Sequence, residues 1–210
     1  MAKQRNGGIG LGWLLAGAIV LEIAAVLLLV PSHQVKSYNA AERAAVVADL
    51  GREAEAHVVE TANTWYKATL IDTGFVEALD SFLFDTGSPD SVIQHGSTSY
   101  VRDRVGTFWY ALYALYYRLA LICLWVPYLL PIAIPMFVDA IQERRVRQWR
   151  FSYVSPLTRV LATRTKLAVG TLLLGAILLP FHVSALAYPI LFAVLMVANW
   201  VWVANLQKRI

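Results

Sequence analysis

Apolar residues are gathered along the chain into long blocks. One block covers residues 9–30, in which Glu22 is the only charged side chain, and a second covers residues 119–138 without any charge. A helix of about 20 apolar residues spans the hydrocarbon core of a bilayer. Two more apolar blocks follow at residues 167–181 and 183–206. The pattern therefore predicts four transmembrane helices.

Polar residues separate the first two predicted spans. Residues 31–106 predict an extracytoplasmic helical segment that lies outside the bilayer. Residues 107–118 are rich in Trp and Tyr, whose rings favour the boundary between lipid and water, and predict an interfacial helix. This helix ends at Arg118 and leads directly into the second span, which Asp139 closes. Arg118 and Asp139 therefore mark the two boundaries of that span.

Within the polar segment, the sequence predicts one long amphipathic helix over residues 39–70. The composition is rich in Ala, which favours helix, and apolar residues recur at helical spacing. Asn39 precedes Glu42 by three residues, which is the spacing of a capping box at a helix start. This pattern gives Glu42 a local role in capping the predicted helix.

Basic residues are concentrated in the short polar segments. Residues 1–8 contain two of them, residues 139–166 seven and residues 207–210 two, whereas residues 31–106 contain 6 basic and 11 acidic residues. Short loops rich in Lys and Arg stay on the cytoplasmic side of the membrane. The sequence therefore predicts an all-α integral membrane protein with four spans, both termini cytoplasmic and a basic cytoplasmic loop.

Polar and helix-bending residues inside the predicted spans are few. A carboxylate such as Glu22 at the bilayer centre costs about 2.5–3.5 kcal/mol, so it is protonated, paired or turned towards protein. We favour a structural contact, with Arg118 as one candidate partner, over a proton relay. Pro127, Pro131 and Pro135 lie four residues apart, share one helix face and can kink the span. A permanently bent helix is favoured over a hinge or a cavity lining.

Candidate catalytic chemistry is absent from the sequence. The single cysteine, Cys123, lies in a predicted span, which excludes an intramolecular disulfide or a cysteine metal cluster. The histidines lack metal-ligand spacing, and we find no phosphate-binding glycine loop, no Ser/His/Asp set and no paired carboxylates in an apolar pocket. We therefore expect no enzyme, no cofactor and no metal site.

The basic residues after the second span are candidates for contacts with other molecules. They can attract anionic headgroups, which is worth about 1 kcal/mol per basic residue near the surface. They can also dock onto an acidic partner, or contact the phosphates of DNA. The candidates are Arg144, Arg145, Arg147, Arg150 and Arg159.

The same stretch carries a resemblance to a known family. A proline-rich span, then Asp139, then Arg144-Arg145-Val146-Arg147, then Ser155 and Arg159, resembles four-span inner-membrane proteins of integrating conjugative elements and conjugative plasmids. Their function is unknown, and their genes lie beside that of the type IV coupling protein. The resemblance implies a multi-pass protein of the bacterial inner membrane.

The resemblance also implies a function: a non-enzymatic accessory or scaffold subunit of a conjugative type IV secretion apparatus, associated with the coupling ATPase or the secretion channel. A homo-oligomer and a contact with DNA remain compatible with the sequence. The alternative is a small transporter or channel subunit that uses Glu22 and the face of Pro127, Pro131 and Pro135. The lack of an inverted repeat favours the scaffold.

Overall fold

The computed structural model describes residues 30–78, 95–149, 156–178 and 182–206. Every regular element within these ranges is helical, which confirms the predicted all-α class. The predicted first span, with Glu22, and also Arg150 lie outside the described residues. The main helices are α1 (Ser32–Leu50), α2 (Arg52–Tyr66, continued by a π-helical turn over Lys67–Ile71), α3 (His95–Trp149), α4 (Pro156–Leu178) and α5 (Ala187–Ala204).

Three of these helices are long and apolar enough to cross a membrane. The candidate spans are Asp103–Arg147 within α3, Leu157–Leu178 in α4 and Ala187–Ala204 in α5. They overlap the second, third and fourth spans that the sequence predicts. The structure thus supports a membrane protein, whereas the count of four spans and the cytoplasmic position of both termini remain predictions.

The long amphipathic helix predicted over residues 39–70 is wrong, because Gly51 divides it. Gly51 has φ of 90° and ψ of 167°, a conformation that costs glycine little because it lacks a Cβ atom. The first helix begins at Ser32, so Glu42 lies in its interior. The capping box of Asn39 and Glu42 is therefore also wrong. Gly51 turns the chain into a hairpin of two helices.

The first arm of this hairpin packs along α3 in the same direction. The Ser32 hydroxyl donates a hydrogen bond to Asp103, and the Asn39 amide donates one to the Tyr110 carbonyl at 3.1 Å. Both pairs are separated by 71 residues along the chain. Because the separation is constant, α1 and the first half of α3 run parallel.

The second arm returns along a neighbouring face of α3. The Tyr113 hydroxyl donates to Asn63 Oδ1 at 3.0 Å, and Phe75 meets Trp109 edge to face. Later residues of the hairpin thus meet earlier residues of α3, so α2 and the segment after it run antiparallel to α3. Part of the predicted interfacial helix is therefore covered by protein.

Helix α3 is much longer than a bilayer is thick. Its 55 residues extend about 80 Å, whereas the hydrocarbon core is about 30 Å thick. It remains helical through its three internal prolines and continues past Asp139 to Trp149. Residues 139–149 and 156–166 of the predicted basic loop are therefore helix. This is consistent with the loop's content of Ala, Gln, Glu and Arg, which favour helix.

A continuous apolar core joins the hairpin to the candidate membrane helices. Helices α4 and α5 pack against each other as an antiparallel pair. Helix α5 also packs along α3. The core takes side chains from all five helices and the turn before α5, so the two parts of the fold share one packed interior. Its buried members include Val46, Val58, Ala62, Tyr117, Ala120, Leu121, Val169, Leu173, Ala176, Val183 and Tyr188.

Candidate functional site

A buried ion pair joins the hairpin to α3 where the predicted second span begins. Arg118 Nε lies 2.9 Å from Glu42 Oε1, and Arg118 Nη2 lies 2.6 Å from Glu42 Oε2. Only 1% of the Arg118 side chain and 2% of the Glu42 side chain is exposed. Paired contacts of a guanidinium with a carboxylate are among the strongest hydrogen bonds in proteins. The pair therefore fixes α1 on α3.

Further polar contacts tie this point to α4 and α5. Arg118 Nη1 donates to the Ile177 carbonyl at 3.4 Å, and the buried Tyr188 hydroxyl donates to the Ala176 carbonyl at 3.4 Å. The Ser184 hydroxyl, in the turn before α5, donates to Asp49 Oδ2 at 3.1 Å. We call the group formed by these contacts and the Glu42–Arg118 ion pair the junction cluster. It holds the hairpin against the ends of the helix pair.

The partner of Arg118 differs from the one considered from the sequence. The position of Arg118 at a span boundary stays a prediction. The described partner of Arg118 is Glu42, whereas Glu22 lies outside the described residues. The sequence carried a weak signal for Glu42, because Val35, Glu42 and Val46 fall on one helix face and are all buried. A lone acid on an apolar stripe suggests a buried partner.

The three prolines form an exposed face in the middle of α3. Pro127, Pro131 and Pro135 are all exposed, and so is Cys123, which lies four residues before Pro127 on the same side of the helix. We call these four residues the proline face. A proline has no amide hydrogen to donate to the carbonyl four residues earlier. The carbonyls of Cys123, Pro127 and Pro131 therefore lose their usual helical partners.

The basic end of α3 is fixed to α5 by two polar contacts. The Trp200 indole donates to Asp139 Oδ2 at 2.8 Å. Arg147 pairs with Glu143 at 2.7 Å and donates to Asn205 Oδ1 at 3.0 Å. Asp139 thus lies at the predicted end of the span and also orients α5. Arg147 is engaged within the protein.

The other basic candidates have different surroundings. Arg145 and Arg159 are exposed. The Nε atom of Arg144 is buried and has no hydrogen-bond partner among the described residues. Lys166, the last residue of the predicted basic loop, places its ammonium 3.7 Å from the centroid of the Trp202 ring on α5. The arginines are close together in the sequence, but in the structure they differ in burial and in hydrogen-bond partners.

An apolar groove opens between α3 and α5 on the side of the prolines nearer the basic end. Its volume is about 350 Å³, within the size range of small-molecule sites. The walls are almost wholly apolar. They include Ala133, Ile134, Phe137, Met196, Asn199 and Trp200.

The site contains no arrangement typical of a metal centre. Among the residues that the structure describes, no group of three His, Cys, Asp or Glu side chains lies close enough together to hold a metal ion. The polar side chains of the junction cluster are instead paired with each other or with backbone carbonyls. These contacts fix the helices relative to one another.

Most of the chain matches a known protein family. Residues 31–207 match the model of a family described as IncC plasmid conjugative DNA transfer protein DtrJ-like. The chain belongs to the DtrJ-like family. The match covers the hairpin, α3 and the helix pair together, so DtrJ-like membership applies to the whole described fold. No curated protein and no solved structure matches the chain.

Membership in the DtrJ-like family confirms the resemblance to conjugation proteins. The family implies a role in conjugative DNA transfer, and the three apolar helices indicate that the role is carried out in a membrane. The matched segment contains the junction cluster, the proline face and the basic end of α3. The residues that carry the function are therefore sought in these three features.

Proposed function

We propose that the protein is a non-enzymatic accessory subunit of the conjugative apparatus, anchored in the bacterial inner membrane by four spans with both termini in the cytoplasm. In this role it binds the transmembrane anchor of the type IV coupling ATPase and braces it. The observation that carries the proposal is the exposed proline face of α3. The family description supports the setting, since it is a conjugative DNA transfer family.

The proline face suits a protein partner better than lipid. Backbone carbonyls without hydrogen-bond partners cost several kcal/mol in hydrocarbon, which offers no donors. Breaks of this kind are tolerated in membranes where neighbouring protein or water-lined cavities satisfy the freed groups. Cys123, Pro127, Pro131 and Pro135 are all exposed in this chain. We therefore expect a helix of another protein, carrying side-chain donors, to cover this face.

Contacts on both sides of the proline face suit a brace. The Glu42–Arg118 pair fixes α3 to the hairpin before this face, and contacts from Asp139 and Arg147 fix it to α5 after it. A helix held on both sides of a surface presents that surface in one orientation. A rigid face favours binding of the partner's anchor, because little conformational freedom is lost on association.

Co-purification tests this proposal. We expect the tagged full-length protein, extracted in a mild detergent from cells that carry the complete conjugative plasmid, to retain the coupling ATPase. The same tag on an unrelated four-span protein is the control. Recovery of the protein only as a homo-oligomer that conducts ions in liposomes would contradict the proposal and favour the alternative, a small transporter or channel subunit.

A further inference from the structure

The groove between α3 and α5 has an apolar interior and a basic margin. Phe137 lies in its wall, and Arg144 follows seven residues later. Seven residues make about two helical turns, so the two side chains share a face of α3 and lie about 10 Å apart along its axis. Arg144 therefore lies beyond the groove towards the basic end.

Arg144 differs from Arg147 in having a buried polar atom without a hydrogen-bond partner among the described residues. This atom is the guanidinium Nε. Arg147, in contrast, is engaged by Glu143 and Asn205. A buried guanidinium nitrogen without a partner is costly, because its desolvation is not compensated. A ligand that accepts a hydrogen bond at this point would remove that cost.

The charges near the groove favour an anion. Glu143 is paired with Arg147, whereas Asp139 accepts a hydrogen bond from the neutral Trp200 indole and keeps its negative charge. The three arginines within residues 144–147 outnumber these two acids, so this end of α3 carries a net positive charge. Basic pockets between transmembrane helices on the cytoplasmic side bind anionic lipid headgroups. In the predicted orientation, this margin lies at the cytoplasmic leaflet.

We propose that the groove is a binding site for an anionic phospholipid. One acyl chain occupies the space beside Ala133 and Phe137, and the phosphate accepts hydrogen bonds from the Arg144 guanidinium. A planar guanidinium matches the geometry of phosphate oxygens and binds them with two parallel hydrogen bonds. The lipid thereby fills the gap between α3 and α5. This inference is independent of which protein covers the proline face.

The test compares lipids with identical acyl chains and different headgroups. The purified full-length protein in detergent is titrated with phosphatidylglycerol or phosphatidylcholine, and bound lipid is counted by native mass spectrometry. We expect one phosphatidylglycerol to bind in preference to phosphatidylcholine. Arg144→Gln should weaken phosphatidylglycerol binding at least about fivefold, the factor for one basic residue near a membrane surface. It should weaken phosphatidylcholine binding less, because the choline cation of that lipid offsets the charge of its phosphate.

Arg145→Gln is the matched control, because it removes the same charge from the neighbouring exposed position. Equal effects of the two substitutions would overturn the site and indicate diffuse attraction by the basic end. Equal binding of the two lipids by the unmodified protein would also overturn it. Should Arg144→Gln fail to fold, Ala133→Phe provides the second test. It fills the groove with Arg144 in place and should abolish the single bound phosphatidylglycerol; retention of that lipid would refute the proposal.

Discussion

Glu42→Ala is expected to lower the free energy of unfolding by about 3–5 kcal/mol, the cost of removing one partner from a buried ion pair. The substitution leaves the Arg118 guanidinium at the junction cluster, where only 1% of its side chain is exposed. Its bonds to Glu42 are lost, and a side chain this deeply buried has little access to water that could replace them. The measurement is thermal and denaturant unfolding of the purified protein in detergent, followed by circular dichroism.

The exposed ion pair of the hairpin is the matched control. Arg43 Nε donates to Glu55 Oε1 at 2.8 Å, and this hydrogen bond raises the pKa of Arg43, yet 45% of the Arg43 side chain is exposed. Arg43→Ala should therefore cost only about 0–1 kcal/mol. The double variant Glu42→Leu with Arg118→Met should recover much of the loss, because it leaves no buried charge. Equal costs for Glu42→Ala and Arg43→Ala would contradict the account.

Pro131→Trp is expected to lower the frequency of conjugative transfer at least about tenfold, which corresponds to a loss of about 1.4 kcal/mol in the binding of a partner. The indole would occupy the middle of the proline face, where the partner's helix is expected to pack. The substitution also restores an amide hydrogen, so α3 itself should not be weakened. Transfer is measured by mating cells that express the variant as their only copy.

Two substitutions separate the effect of bulk from other causes. Leu172→Trp adds an indole to α4, where the leucine side chain is 60% exposed, and should leave transfer within about threefold of the unmodified protein, as for surface changes. Pro131→Ala restores the amide hydrogen without adding bulk and should have an intermediate or small effect. If Pro131→Trp and Leu172→Trp reduce transfer equally, the proline face is not the contact surface.

The helical class and the candidate membrane helices could be predicted from the sequence because composition alone determines them. A block such as residues 119–138 is apolar on every face, and only a membrane helix buries such a block. The hairpin was harder to predict. A single glycine inside a helical pattern is compatible with a continuous helix, and Gly51 ends α1 only through its backbone conformation.

The junction cluster could not be predicted, because its partners are far apart in the sequence. Glu42 and Arg118 are separated by 76 residues, and Asp49 and Ser184 by 135. Glu42 also has a local explanation, since it stands three residues after Asn39. Local patterns cannot reveal which distant charge a buried acid meets, so this pair required the packed structure.

The arginines that follow Asp139 were also only partly predictable from the sequence. Arg144, Arg145 and Arg147 follow Asp139 within eight residues, and composition gives them one shared role. Arg144 and Arg147 are three residues apart and share a helix face, whereas Arg145 lies on another face. Arg147 meets Asn205, Arg145 is exposed, and Arg144 has a buried nitrogen without a hydrogen-bond partner among the described residues. The functional difference among them depends on where α5 packs.

Cross-linking from Cys123 is the most direct test of the central claim, that the proline face binds the coupling ATPase. Cys123 is exposed and is the only cysteine of the chain, so a thiol-reactive photo-cross-linker attached to the purified protein labels the proline face without any substitution. The labelled protein is then reconstituted into membranes that contain the other components of the conjugative apparatus, and the cross-linker is activated by light. We expect an adduct between this protein and the coupling ATPase that Pro131→Trp abolishes. Adducts only between two copies of this chain, or only with lipid, would contradict it.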